Sequence, residues 1–193
     1  HGDRPVDGAA DAIAALRRKG LRVAFCTNNA TLHRRDVAAK LTRLGVSASE
    51  SDVATSGSLA AALAAERWGE GPVYLIGEQG LRSELSEAGL REAEDGEAAR
   101  AVILGLDRDF TFAKAKAAHR AILGGARFLA TNPDVLLPGT DGGSCPGAGG
   151  LSALLETSTG VRAECHGKPS PRLFEAVAHA WGVDAAGMVA VGL

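Results

Sequence analysis

A lysine held between glycine and proline, in Gly167-Lys168-Pro169-Ser170-Pro171, sets one cation in a tight loop between an apolar run and an amphipathic stretch. Far upstream, Phe25-Cys26-Thr27-Asn28-Asn29 sets a hydroxyl and two amides at the end of another short apolar run. A point charge, a hydroxyl and amide donors meeting at two strand ends would make an oxyanion site, and a phosphoryl group suits such donors. Each segment also has a plainer reading. The asparagines can serve only a turn with unusual backbone angles, and a loop lysine can be simply solvated. Lys168 is not a P-loop lysine, because Pro169 stands where magnesium-binding Ser or Thr belongs and Arg162 where the first glycine belongs.

Other candidates carry less. Gly147-Ala148-Gly149-Gly150 follows Ser144-Cys145-Pro146 and no strand, so it lacks the setting of a dinucleotide fingerprint and reads as a flexible entry to a helix over Leu151 to Thr157. Asp107 and Asp109, after Val102-Ile103-Leu104, read either as a nucleophile and its acid partner around magnesium or as a turn, and the turn is favoured. The histidines show no metal-ligand spacing, and Cys26, Cys145 and Cys165 form no CxxC pair.

These loops need elements to hold them. Short β-type runs alternate with helix-patterned stretches: Leu21 to Cys26 then Thr31 to Leu44, Val53 to Ser56 then Ser58 to Trp68, Val73 to Gly77 then Gln79 to Ala88, Ala101 to Leu106 then Thr111 to Leu123. Arg127 to Thr131 follows, then Ala163 to His166 before Pro171 to Trp181, and a final run Met188 to Gly192. This rhythm predicts an α/β fold on a parallel sheet, whose ligands gather at the carboxyl ends of the strands. Thr31 is the expected cap of its helix and Gly45 its left-handed stop, while Ser170 caps the last helix with Pro171 at its first position. Glu92 to Arg100 reads as a solvated loop, and Pro133 to Gly150, with six glycines and three prolines, as irregular chain.

The bulk numbers set the class. With 193 residues, 46% of them hydrophobic and 23% charged, the chain has the composition of a globular protein, and no apolar run approaches the roughly 20 residues that span a bilayer. A net charge of −2 and 4% aromatics supply neither a basic field nor a stacking surface, so nucleic acid and membrane are not expected partners. An odd cysteine count without a signal peptide favours a cytoplasmic location.

Taken in order, Phe25-Cys26-Thr27-Asn28-Asn29, Val53-Ala54-Thr55-Ser56-Gly57, Gly105-Leu106-Asp107-Arg108-Asp109-Phe110-Thr111, Ala130-Thr131-Asn132-Pro133-Asp134, Pro146-Gly147-Ala148-Gly149 and Gly167-Lys168-Pro169-Ser170-Pro171 resemble the haloacid dehalogenase superfamily. Within it they resemble the class IIA phosphatases, of NagD-like, para-nitrophenyl phosphatase-like and phosphoglycolate phosphatase-like kinds. The resemblance implies a three-layer Rossmann-like core over 1–71 and 162–193, with an inserted α/β cap over 72–161. It implies that Thr27, Asn28, Asn29 and Lys168 hold the phosphoryl oxygens, Lys168 also neutralising charge on the nucleophile, and that Asn132 and Asp134 close over the leaving group.

The family places its Asp-x-Asp nucleophile motif ahead of the threonine motif, which excludes Asp107 and Asp109 from that role. By the same pattern the nucleophile strand falls just upstream of His1, and the family expects an aspartate completing the Mg2+ site after Gly192, where this chain has Leu193. The expectation is therefore a hydrolase of small phosphate monoesters through an aspartyl-phosphate in the complete protein, and a chain of 193 residues that is inactive, short of its main metal ligands and marginally stable. A small phosphorylated metabolite is the expected partner, with a homodimer through the cap as the assembly the resemblance suggests. The alternative is a non-catalytic protein with a degenerate core that binds phosphate or a metabolite, or uses the cap only as an interaction surface.

Overall fold

In the computed structural model, which describes residues 5–69, 71–94, 96–139 and 142–192, the apolar runs become parallel strands and the stretches between them become covering helices. In chain order the elements are α1 (Ala9–Arg18), β1 (Phe25–Thr27), α2 (Arg34–Arg43), β2 (Val53–Thr55), α3 (Ser56–Trp68), β3 (Pro72–Ile76), α4 (Gln79–Glu87) and β4 (Arg91–Glu92). There follow β5 (Ala101–Leu104), α5 (Phe112–Leu123), β6 (Arg127–Ala130), β7 (Leu136–Pro138), β8 (Ser144–Pro146), α6 (Ala148–Thr159), β9 (Glu164–Cys165) and α7 (Arg172–Trp181).

Five strands form one parallel sheet in the order β4-β3-β5-β6-β9, and β1 pairs in parallel with β2, Thr27 opposite Thr55. Alternation along the strands sorts side chains to two faces. Val73, Leu75, Ala101, Ile103 and Leu129 meet the alanines of α3 and Leu81 and Leu85 of α4. Ile76, Val102, Leu104 and Phe128 meet Ala115, Ala118 and Ile122 of α5 and Leu155 of α6. Each fully buried Leu or Ile stabilises this sandwich by about 1.5–3 kcal/mol, so the strand ends are held on a stiff platform. The architecture is the expected α/β one, with helices on both faces of a parallel sheet.

Five local expectations are corrected. Met188 to Gly192 is not a strand: Val189 and Val191 are 88% and 94% exposed, and a β-type run becomes a strand only with a neighbour to bond, which none of the described residues supplies. Pro133 to Gly150 is not irregular throughout, because β7 and β8 form an antiparallel hairpin and α6 starts at Ala148, three residues before the predicted Leu151. Thr31 does not cap α2; His33 does, its Nδ1 accepting from the Arg35 N–H at 3.1 Å, while Thr31 bonds back to Asn29. The helix α1 lies ahead of every element read from the sequence, and it has no buried residue. Ser170 and Pro171 are each one place ahead of their expected positions: α7 starts at Arg172 with Pro171 at its cap, and Ser170 Oγ accepts from the Arg172 N–H at a long 3.4 Å.

Candidate functional site

Three loops meet at the carboxyl ends of β1, β6 and β9. The first is Thr27-Asn28-Asn29. Thr27 is half-buried, and its Oγ1 accepts from the Asn29 N–H at 3.1 Å, which leaves its hydroxyl proton available to an incoming anion. Asn29 is exposed, and its Oδ1 accepts from the Thr31 N–H at 2.8 Å and the Thr31 hydroxyl at 2.7 Å. The side-chain amide of Asn29 thus keeps its N–H2 as its donor.

The second loop carries Lys168, 140 residues away along the chain. Its Nζ lies 3.3 Å from the carbonyl oxygen of Cys26, the residue just before Thr27. Its backbone N–H donates to Asn28 Oδ1 at 2.7 Å, and its carbonyl accepts from Asn28 Nδ2 at 2.9 Å. The Cys26 thiol registers this neighbour: burial raises its pKa, and the Lys168 charge opposes that rise. Gly167 is buried, and the close approach requires glycine there, since a Cβ would run into the Thr131 carbonyl and come within 2.9 Å of Asn28 Oδ1.

The third loop follows β6. Asn132 donates from Nδ2 to the Asn28 carbonyl at 2.9 Å, and Asp134 Oδ2 accepts from Asn28 Nδ2 at 3.1 Å. Asn132 Oδ1 in turn accepts from the Asp134 N–H at 3.1 Å. The glycines read as a flexible helix entry have a different task here. Side chains at Gly147 and Gly149 would collide with the carbonyls of Asp134 and Pro133, and the Gly149 N–H donates to the Asp134 carbonyl at 2.9 Å. They let α6 start directly beneath the Asn132–Asp134 turn.

All six residues proposed from the sequence, Thr27, Asn28, Asn29, Lys168, Asn132 and Asp134, thus lie in one neighbourhood. Sequence reasoning gave no task to Ser56, whose hydroxyl donates to the Asn28 carbonyl at 2.6 Å from the first turn of α3. A serine beside a capping threonine is too common a pattern to signal that contact.

Elsewhere, Asp107 is buried and both its carboxylate oxygens are engaged, Oδ1 by the Asp109 N–H at 2.9 Å and Oδ2 by Lys114 Nζ at 2.7 Å. That is the geometry of a structural turn. His33, Glu50 and Glu87 offer ligand atoms within 4.8 Å of one another, a grouping the sequence spacing hid. Arg34 and Arg35 already bond both carboxylates, at 2.8 to 3.2 Å, and two guanidinium charges there oppose a metal cation. No helix of the described residues is long and apolar enough to cross a membrane.

The likeness to known proteins extends over the whole chain. Residues 1–91 match the profile of the haloacid dehalogenase-like hydrolase family. The 5'-nucleotidase YutF of Bacillus subtilis is 34% identical over 192 residues, covering 100% of this chain and 74% of that protein. Among solved structures, a double mutant of the thermostable NPPase from Geobacillus stearothermophilus superposes with a TM-score of 0.88 at 35% identity, over 93% of this chain and 71% of the other. A glycerol phosphate phosphatase from Mycobacterium tuberculosis in complex with magnesium gives 0.86 at 34% identity, over 93% and 54%. Identity at this level across nearly the full length carries more than a shared fold, and the chain belongs to the haloacid dehalogenase-like hydrolases, alongside phosphatases.

Proposed function

We propose that these residues are the phosphate-gripping part of a phosphatase acting on small phosphate monoesters. The observation that carries this reading is the meeting of the Thr27 loop with Lys168, whose ammonium lies 3.3 Å from the Cys26 carbonyl. The Thr27 hydroxyl, the Asn29 amide and the Lys168 ammonium gather around one tetrahedral oxyanion. They hold the phosphoryl group in line for attack and offset the charge that accumulates on its oxygens. Asn132 and Asp134 lie over the leaving-group side, in the α/β cap of 72–161, between core segments 1–71 and 162–193. The partner is a small phosphorylated metabolite, and the assembly a homodimer through the cap.

In the complete protein an aspartate attacks phosphorus and expels the alcohol, a second aspartate protonates that alcohol, and water then cleaves the aspartyl-phosphate. Among the described residues of the site the carboxylate is Asp134, already bonded to Asn28. One engaged carboxylate is a poor nucleophile and does not make an oxygen cage for Mg2+, so no step here is routed through the metal. Residues 1–193 by themselves are therefore proposed to grip phosphate without turning over an ester.

The test is a pair of measurements. Isothermal titration of residues 1–193 with inorganic phosphate should give binding that Lys168→Ala weakens by about tenfold or more. A p-nitrophenyl phosphate assay of the same chain should give no turnover above buffer. Phosphate affinity equal in wild type and Lys168→Ala would remove the basis of the reading.

A further inference from the structure

Asn28 was expected to share the work of holding phosphate, yet its side chain is otherwise engaged. Its Oδ1 accepts from the Lys168 N–H at 2.7 Å, and its Nδ2 donates to the Lys168 carbonyl at 2.9 Å and to Asp134 Oδ2 at 3.1 Å. A primary amide has one acceptor oxygen and two N–H donors, so every proton and the oxygen of this side chain have a protein partner. Nothing of it is left over for a substrate oxygen. The paired bonds to the N–H and C=O of one residue copy the pairing between two strands, and they fix Lys168 in both position and orientation.

The backbone of Asn28 is clamped too. Its carbonyl accepts from Ser56 Oγ at 2.6 Å and from Asn132 Nδ2 at 2.9 Å. One residue therefore joins four segments: the end of β1, the start of α3, the turn after β6 and the loop after β9. Gly167 permits the closeness, since a Cβ there would press on Asn28 Oδ1 at 2.9 Å.

Resting on the phosphatase reading above, we propose that Asn28 is a positioning residue and not a phosphate ligand: its amide holds Lys168 in register with Thr27 and ties that register to Asp134 of the neighbouring loop. The phosphoryl group is then held by Thr27, Asn29 and Lys168, and Asn28 acts on it through Lys168. Asp134 is the acceptor that fixes which way the amide of Asn28 faces.

The discriminating variants are Asn28→Asp and the exchange Asn28→Asp with Asp134→Asn, both in residues 1–193. The single variant removes both N–H donors and sets a carboxylate against Asp134, so phosphate affinity by titration calorimetry should fall about tenfold or more. The exchange restores the bond to position 134 with its direction reversed but not the bond to the Lys168 carbonyl, so affinity should recover in part, by about threefold or more over the single variant. A direct ligand role predicts the opposite, because a new carboxylate facing phosphate repels it whatever stands at 134. An exchange variant as weak as Asn28→Asp, at matched thermal midpoints, overturns the proposal.

Amide hydrogen exchange separates this proposal from the reading beneath it. Asn28→Ala should speed exchange of the Lys168 N–H while that of the Ile103 N–H within β5 is unmoved. If wild type binds no phosphate but Lys168 loses protection in Asn28→Ala, the phosphatase reading fails and the positioning stands. If Lys168 protection does not change, the positioning itself is wrong.

Discussion

Replacing Arg34 by methionine tests how firmly α2, which follows the Thr27 loop, is bound to α4. Glu84 on α4 has a fully buried side chain and takes the Arg34 guanidinium through Nη1 and the Arg34 backbone N–H at 2.9 Å. The same guanidinium reaches Glu50 at 3.0 Å and Glu87 at 2.9 Å, whose side chains are 34% and 39% exposed. The exposed arms are worth about 0.2–1 kcal/mol each. The buried arm is different: removing one partner leaves a charge with poor access to water, at a cost of about 3–5 kcal/mol. Because Arg34 is itself 31% exposed and the backbone bond survives, the low end applies, and Arg34→Met should cost about 3 kcal/mol at pH 7.

That loss corresponds to a fall in Tm of about 6–12 °C for a chain of this size. Arg35→Met is the control, because Arg35 is 66% exposed and, among the described residues, pairs with the part-exposed Glu50 and Glu87; it should cost about 0.5–1 kcal/mol. The pH dependence gives a second reading. Burial already raises the Glu84 pKa, against the opposing pull of Arg34 and His33, and losing Arg34 raises it further. A carboxyl whose folded pKa is raised destabilises the fold increasingly as pH climbs from the unfolded pKa to the folded one, and its penalty disappears below the unfolded value. The cost of Arg34→Met should therefore shrink between pH 7 and pH 4.5 in urea unfolding. Equal costs for the two arginines, or a cost that grows on acidification, would refute the reasoning.

Three further outcomes follow from the same geometry. Lys114→Met strands the buried Asp107 carboxylate, and should lower stability by about 2–4 kcal/mol in denaturant titration without altering phosphate affinity, since that turn is structural. Gly149→Val forces a side chain into the Pro133 carbonyl, and hydrogen exchange should show the Asn132–Asp134 turn opening, with loss of phosphate binding. Iodoacetamide at pH 8 should reach exposed Cys145 first and Cys26 slowly; Lys168→Gln removes the charge that opposes the rise in the Cys26 pKa, so Cys26 should react more slowly still.

What the sequence disclosed follows from how local each signal is. The βα rhythm and the two loops around Thr27 and Lys168 rest on neighbouring residues, apolar runs ended by Gly, Pro and Asn, so they could be read without coordinates. The task of Asn28 could not, because its partners Lys168, Asn132 and Asp134 lie 140, 104 and 106 residues away and an Asn after a strand looks the same in a plain turn. The β7–β8 hairpin was hidden by glycines and prolines that usually mark irregular chain. His33 was overlooked as a cap because imidazole seldom fills that place, whereas Thr31 matched the common pattern. Met188 to Gly192 shows the converse error, since β-type composition does not make a strand where nothing pairs with it.

The central claim is that Thr27 and Lys168 grip one anion. A crystal structure of residues 1–193 soaked with phosphate, or with tungstate as a heavier tetrahedral stand-in, addresses it directly. The account predicts a single tetrahedral density within about 3.2 Å of both Thr27 Oγ1 and Lys168 Nζ, with the Asn28 amide still paired to Lys168. An anion seated instead in the cleft beside Arg82, Arg108 and Lys114, with Lys168 untouched, would contradict it.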